Sequence, residues 1–250
     1  MYKILAKTLF IGKNLVFLPS CHSTNDIAQE LLSEGTLEGT VIITENQTNG
    51  RGQRGSGWES EPGKNLTFSL VLKPTFLSVQ QQFELNRVVS LAVCDFLNTF
   101  STGFQVKWPN DIYYHDRKIC GILIQNSIRQ GRIESSIVGI GLNINQQIFK
   151  EQKPISLSRV TGEFVPLPEA LEALAQHIET RYLTLKAGNR ERLHKDYLHK
   201  LYRFGEEYLY RANGELFNGR ITDVSPEGKL EVESKKGIQQ FDFKEVEFII

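Results

Sequence analysis

Phe104-Gln105-Val106-Lys107-Trp108-Pro109-Asn110-Asp111-Ile112-Tyr113-Tyr114 places two strand-like pieces on either side of a Pro-Asn-Asp turn. Lys107 closes the first piece. Downstream, residues 118–125 and 136–145 read as two more strands, joined by a hairpin at Arg129-Gln130-Gly131-Arg132. Gly121, Gly139 and Gly141 lie inside these strands and point to bulges or to close approach of another group to the backbone. Upstream, residues 65–72 alternate and then run apolar until Pro74, as a strand does. Phe83, Val88, Val89, Ala92, Val93, Phe96 and Leu97 recur at helical spacing, so residues 80–100 form an amphipathic helix, with Cys94 in its core stripe.

Further toward the N-terminus, residues 14–18 and 39–44 read as strands. Between them Ile27, Ala28, Leu31 and Leu32 mark a helix that Gly35 ends. From spacing alone, Ser23 and Thr24 read as caps of that helix, and Ser23 with Asp26 has capping-box spacing. On the other side, residues 156–162 carry no strong pattern. Pro168 opens a helix with Leu171, Leu174, Ala175, Ile178, Tyr182 and Leu185 on one stripe. A second helix covers about 190–201, and its many charges read as a solvated face. From Glu206 the pattern changes to short strands at 208–211, 219–224, 229–233, 239–243 and 246–250, which imply a small β-barrel or meander. The expected architecture is α+β: a mixed sheet with packed helices over 1–203, then a small β-barrel over 204–250.

Bulk properties narrow the function. Of the 250 residues, 40% are hydrophobic and 23% charged, with no net charge, so no global field recruits nucleic acid or an anionic membrane. Anion binding, if present, is local. Cys21, Cys94 and Cys120 are odd in number and lack paired spacing, which argues for a reducing compartment and hence the cytoplasm. Neither CxxC nor HExxH occurs, no segment has the length to span a bilayer, and the first ten residues lack a secretory pattern.

The stretch from Gln47 to Trp58, QTNGRGQRGSGW, follows the strand at 39–44 and is the richest in chemistry. Its glycines allow close approach to a ligand, Arg51 and Arg54 supply planar forks for carboxylate or phosphate, and Trp58 offers a flat face. A solvated turn is the alternative. No lysine follows the last glycine, so it is not a P-loop. Residues 57–62 cannot open a helix, so it is not a dinucleotide fingerprint. No GxSxG elbow occurs and no cysteine has a motif-like base partner. What remains suits an enzyme that positions two substrates and neutralises charge without a covalent intermediate.

Taken in order, Ser23-Thr24-Asn25, Gln47, Gly50-Arg51-Gly52-x-Arg54-Gly55, Trp58, Lys107-Trp108-Pro109-Asn110-Asp111, Lys118-x-x-Gly121-Ile122-Leu123 and Gly139-Ile140-Gly141-Leu142-Asn143 form a set. It resembles the motif set of the biotin protein ligases. The resemblance implies a class II synthetase-like catalytic domain with an SH3-like C-terminal barrel. It implies coupling of biotin to ATP, with Mg²⁺ held mainly by the phosphates and no protein metal ligands assigned, to give biotinyl-5′-AMP. Transfer to a lysine of a biotin carboxyl carrier protein follows.

On this resemblance Lys107 and Arg51 are catalytic. Ser23, Thr24, Asn25, Gln47, Gly50, Arg51, Gly52, Gln53, Lys107 and Gly121 hold biotin, with Gln53 contributing backbone only. Arg51, Arg54, Trp58, Lys107, Asn110 and Asn143 hold ATP. The loop from Gly50 becomes a flap over both ligands. Many bacterial members carry arginine where Gln53 stands and a further basic residue near Ser56, so adenylate retention is expected to differ here. Too few residues precede Ser23 for the DNA-binding domain of the repressor-type members, so no DNA partner is expected; a homodimer paired through a sheet edge is. Two rival readings stay open: a lipoate ligase or octanoyltransferase of the same fold, and a non-catalytic nucleic-acid-binding module using the Arg-Gly loop and the barrel.

Overall fold

In a computed structural model, residues 2–52 and 57–249 are described. The chain runs β1 (Leu15–Cys21), α1 (Thr24–Ser33), β2 (Val41–Gln47), β3 (Leu66–Leu72), α2 (Phe83–Leu97), β4 (Phe104–Lys107), β5 (Asp111–Tyr114), β6 (Arg117–Arg129), β7 (Arg132–Leu142), α3 (Leu157–Thr161), α4 (Leu167–Lys186), α5 (Arg190–Lys200), β8 (Glu207–Ala212), β9 (Glu215–Val224), β10 (Leu230–Ser234), β11 (Gly237–Phe241) and β12 (Val246–Phe248).

The first seven strands form one sheet in the order β1-β2-β3-β7-β6-β5-β4. β1 and β2 run parallel and the other pairs are antiparallel, so the sheet is mixed, as expected. β3 sits near its middle and every residue of it is buried. The period-2 alternation of strands assigns its two faces. Val41, Ile43, Leu70 and Leu72 belong to the main core with α2 and α4, whereas Ile42, Val71 and Ile137 form a smaller cluster with Ala28 of α1. α1 spans ten residues and covers only part of its face. The uncovered remainder of that face, where Gly121 pairs with Gly141 across β6 and β7, becomes the floor of the site.

Several boundaries differ from the sequence reading for physical reasons. β1 continues through Pro19 to Cys21, because it is an edge strand with one neighbour and a missing N–H costs little there. β6 and β7 run on to Arg129 and Arg132, joined by Gln130 and Gly131, both at positive φ, as a tight hairpin demands. β9 starts at Glu215, four residues before Gly219, because Asn213-Gly214 makes the same kind of turn. α3 is five residues long, too short to show a helical period.

The C-terminal strands form a five-stranded antiparallel sheet ordered β11-β10-β9-β8-β12. The strand count matches the expectation of a barrel or meander, and among the described residues the strands form an antiparallel ladder with no closing pair. β12 has three residues and pairs only with β8, leaving β11 and β12 as opposite edges. This sheet shares the main core: Phe83 and Tyr197 belong to the same cluster as Tyr210, Ile221, Val224 and Leu230.

Buried Arg87 pairs with Glu84 at 2.6 Å and donates to the carbonyls of Val224 and Ser225 at 2.8 and 2.9 Å. Such a buried charge is tolerable because both terminal nitrogens find acceptors, a carboxylate among them, although Nε has no partner among the described residues. Trp108 Nε1 donates to the Gly228 carbonyl at 2.9 Å. Gly228 lies at φ 98° with the Phe83 ring 2.4 Å from where a Cβ would stand, so only glycine fits this turn. The turn at Trp108 is thus fastened to the C-terminal sheet.

Candidate functional site

A cavity of about 190 Å³ lies over the β6–β7 floor, between the start of α1, the end of β2, Trp58 and the β4–β5 turn, and Phe243 and Lys244 of the β11–β12 turn reach its rim. At one end the polar groups are uncharged. Ser23, Thr24 and Asn25 are 3%, 3% and 6% exposed. The Thr24 N–H donates to Gln47 Oε1 at 2.9 Å, which fixes the orientation of that amide and leaves its nitrogen for another acceptor. Behind them, fully buried Ser69 contacts Thr24 Oγ1 at 2.8 Å and Asn25 Oδ1 at 2.6 Å, while Asn25 Nδ2 donates to Gln125 Oε1 at 2.7 Å. The Asn25 side chain lies flat on Gly139: a Cβ there would stand 2.3 Å from its Oδ1.

The other end is cationic, with Arg51, Lys107, Lys118 and Lys244 on the lining. Lys118 Nζ pairs with Asp111 at 2.7 Å and stands 5.8 Å from the Trp58 ring. Lys107 has no carboxylate partner among the described residues. Its amine faces the rings of Tyr113 and Phe248 at 5.1 and 5.0 Å. Burial pushes the Lys107 amine below the ordinary lysine value; Asp111 opposes this, and the charges of Lys118, Lys153 and Arg203 add to it. Lys107 also borders a second, wider hollow of about 700 Å³ that Lys153, Arg211 and Lys244 line. Trp58 lies on Gly141 and Gly121. A Cβ at Gly141 would stand 2.3 Å from the indole, and the indole Nε1 is buried without a partner among the described residues. An orphan donor over a glycine floor fits a ligand that brings an acceptor.

Most of the residues expected from sequence therefore converge: Ser23, Thr24, Asn25, Gln47, Arg51, Gly52, Trp58, Lys107, Asn110 and Gly121 all line this cavity. Gly50 stands just behind it, with Gln47 Nε2 and the Trp58 carbonyl within 2.8 and 2.6 Å of any added Cβ. Gln53 and Arg54 lie outside the described residues. Two expectations change. Ser23 occupies the N-cap position of α1, yet its hydroxyl makes no cap bond and stays free for a ligand; Asp26, its expected capping partner, instead binds Arg51 at 3.1 Å. Asn143 is buried beneath the site and absent from its lining, donating to the Ile155 carbonyl at 3.1 Å. Asn110 lines the cavity, and its Nδ2 donates to the Ile122 carbonyl of β6.

Sequence reasoning missed Asp26, Ser69, Asp111, Lys118, Gln125, Phe243 and Lys244. Asp111 and Lys118 sit inside motifs already singled out. Ser69 and Gln125 gave one usable signal: each is a polar residue inside an otherwise apolar strand. Cysteine chemistry adds nothing here, since burial raises the Cys94 thiol to about 12 and the Cys120 thiol well above its ordinary value. Among the described residues no group of three or more His, Cys, Asp or Glu side chains is arranged to hold a metal ion.

A mixed sheet with a half-covered face, a neutral hydrogen-bonding end and a cationic end against a tryptophan define an acyl-activating ligase site. The family model described as "Biotin/lipoate A/B protein ligase family" matches residues 17–143, and the chain belongs to that family. Among relatives, the bifunctional ligase/repressor BirA of Bacillus subtilis is 29% identical over 248 residues, covering 96% of this chain and 76% of that one. The biotin–[acetyl-CoA-carboxylase] ligase of Paracoccus denitrificans is 27% identical over 235 residues, covering 90% and 97%. A solved structure of the biotin protein ligase from Aquifex aeolicus in complex with biotin and ATP superposes with a TM-score of 0.77 at 28% identity, covering 94% of this chain and 98% of that one.

Proposed function

We propose that this protein is an ATP-dependent biotin protein ligase, with residues 1–203 as the catalytic unit and 204–250 as a unit that closes its rim. The observation that carries the reading is the polarity of one cavity: uncharged, matched polar groups at one end, and at the other a cluster of cations in which Lys107 has no carboxylate partner among the described residues. A cyclic urea is neutral and needs each polar atom paired, which suits Ser23, Thr24, Asn25 and Gln47. The acid end of biotin then points toward Lys107 and Arg51.

In the first step a carboxylate oxygen attacks the α-phosphorus of ATP, the bond to the pyrophosphate oxygen breaks, and pyrophosphate leaves. Two anions must meet, so Lys107 and Arg51 offset their repulsion and the charge that develops at phosphorus. The wider hollow beyond Lys107, with Lys153 and Lys244, suits the departing polyphosphate. Trp58 offers its face to adenine, and its buried N–H suits an acceptor elsewhere on the nucleotide. Mg²⁺, held by the phosphates, would supply further charge neutralisation. In the second step a carrier lysine amine attacks the acyl carbon and AMP leaves. Arg51 and Trp58, which line the cavity, help keep water from the mixed anhydride meanwhile. The carrier we propose is the biotin carboxyl carrier of a biotin-dependent carboxylase.

The three cysteines are unpaired and no described helix is long and apolar enough to cross a membrane; we assign the protein to the cytoplasm. β1 is a free sheet edge, and we assign pairing of two copies to it. Mass spectrometry of an apo carrier domain after incubation with biotin, ATP and Mg²⁺ tests the function. One added biotinyl group is expected; modification by lipoate and not by biotin would move the protein to the other branch of its family.

A further inference from the structure

Arg87 lies outside the cavity, on the face of α2 that meets the C-terminal sheet, and its side chain is 3% exposed. A guanidinium only donates, so each of its contacts has one direction. One terminal nitrogen gives to Glu84 Oε1 at 2.6 Å. The other gives to the carbonyls of Val224 and Ser225, successive residues where β9 ends, at 2.8 and 2.9 Å. An apolar pair of the same volume commonly gives a core as stable, so what the ion pair adds here is a fixed place for two backbone carbonyls.

The place it fixes is a closed turn. The Ser225 N–H donates to the Lys229 carbonyl at 2.9 Å, the Gly228 N–H returns to the Ser225 carbonyl at 3.0 Å, and the Lys229 N–H reaches Ser225 Oγ at 3.2 Å. Phe83, four residues before Arg87 on the same helix face, lies against Gly228. The Gly228 carbonyl then receives the Trp108 indole N–H at 2.9 Å. Next to Trp108, Lys107 rests its amine over Phe248 of β12 at 5.0 Å, and β12 is carried by β8, the neighbour of β9. Two routes lead from Arg87 to Lys107: through the turn and Trp108, and across the sheet to Phe248.

On the reading of Lys107 as the cation that offsets charge at phosphorus, we propose that Arg87, with Glu84, is a positioning residue for adenylate formation. It holds the 225–228 turn against Trp108 and so sets where the Lys107 amine stands. Losing it displaces that amine and removes no contact with a ligand.

The test uses the full chain, with pyrophosphate release from biotin and ATP as the rate. Glu84→Leu with Arg87→Met removes the pair together and leaves no lone buried charge. The kcat should fall about tenfold, with KM for biotin unchanged. The pH profile separates displacement from general loosening. Burial first, then the charges of Lys118, Lys153 and Arg203, hold the Lys107 amine down, with Asp111 opposing. Once the amine leaves Phe248 and Tyr113 for water, the basic limb should move up toward 10.5, whereas a loss of stability alone lowers the rate and leaves the limb in place.

A spectroscopic reading needs no activity. The chain has two tryptophans, so Trp58→Phe assigns both indole N–H resonances by difference. Exchange of the Trp108 indole proton should quicken at least about tenfold in the pair variant. Trp108→Phe cuts the same link at its other end, so its kcat loss and that of the pair variant should combine to at least about threefold less than their product. If the pair variant does not fold, Arg87→Lys, which brings one nitrogen where two stood, gives the same readings with a kcat loss of about threefold. An unchanged kcat in folded protein, an unmoved basic limb, or losses that multiply in full with Trp108→Phe would overturn the proposal. A wild-type protein that releases no pyrophosphate from biotin and ATP would instead overturn the functional reading beneath it, and indole exchange would still decide whether Arg87 holds Trp108.

Discussion

The two ends of the cavity are prepared to different degrees. At the neutral end the polar groups of Thr24, Asn25, Ser69 and Gln125 are joined in one hydrogen-bonded chain before any ligand arrives. At the cationic end Trp58 Nε1 has no partner among the described residues, Lys107 is held below its ordinary pKa by burial, and Arg51 is engaged with Asp26. A satisfied buried network is rigid and selective, whereas an unsatisfied one is an energetic cost until a counter-charge enters. One end therefore recognises and the other reacts. The recognition end is finished in advance, and the reacting end is completed by the nucleotide.

The largest test of this division is Lys107→Ala. Removing a buried cation aimed at developing charge should lower pyrophosphate release by about 10²–10³-fold. The circular dichroism spectrum and thermal midpoint should stay close to wild type, because the amine is an unneutralised charge in the folded state. An intact rate would erase the distinction between the ends.

The same lysine gives a pH signature. A buried amine with a lowered pKa is charged below that pKa and neutral above it, so kcat/KM for ATP should fall as pH rises, with a midpoint below the ordinary 10.5. Because the unfolded chain binds the proton more tightly, the charge cost on stability is relieved as pH rises through that window. Lys107→Arg keeps its charge and should move the basic limb of the rate profile upward.

How much of this division can be read from sequence depends on distance along the chain. The hairpin at Trp108, the β6–β7 pair and the amphipathic helix α2 are local patterns, and periodicity reveals them. The cations Arg51 and Lys107 stand in motifs, so their chemistry is legible too. Ser69 and Gln125 are different. Their meaning arises only when β3, β6 and α1 meet, and their contacts with Asn25 span 44 and 100 residues. The same holds for Asn143, a motif position whose Nδ2 donates to the Ile155 carbonyl while its Oδ1 is buried without a partner among the described residues. Glycines 139 and 141 carried the right hint of close approach, without saying that Asn25 and Trp58 are what approaches.

A middle-sized effect separates the ends through Gly141. A Cβ there meets the indole of Trp58 at 2.3 Å, so Gly141→Ala must displace the ring. KM for ATP should rise about tenfold, while biotin affinity measured without nucleotide should hold. An equal loss of biotin affinity would show that the floor is shared and the ends are not separable. The smallest effect is expected from Asp26→Asn. The Arg51 side chain is 53% exposed, and exposed ion pairs of this kind are screened. The steady-state constants should shift by less than about threefold.

The most direct measurement of the central claim is calorimetric titration of biotinol, the alcohol that lacks the carboxylate, into the free protein without ATP. Wild-type and Lys107→Ala proteins should bind it with dissociation constants within about twofold of each other, because the recognising end is complete and lies apart from the lysine. Loss of biotinol binding in Lys107→Ala, or its absence from the wild-type protein until ATP is added, would contradict the account.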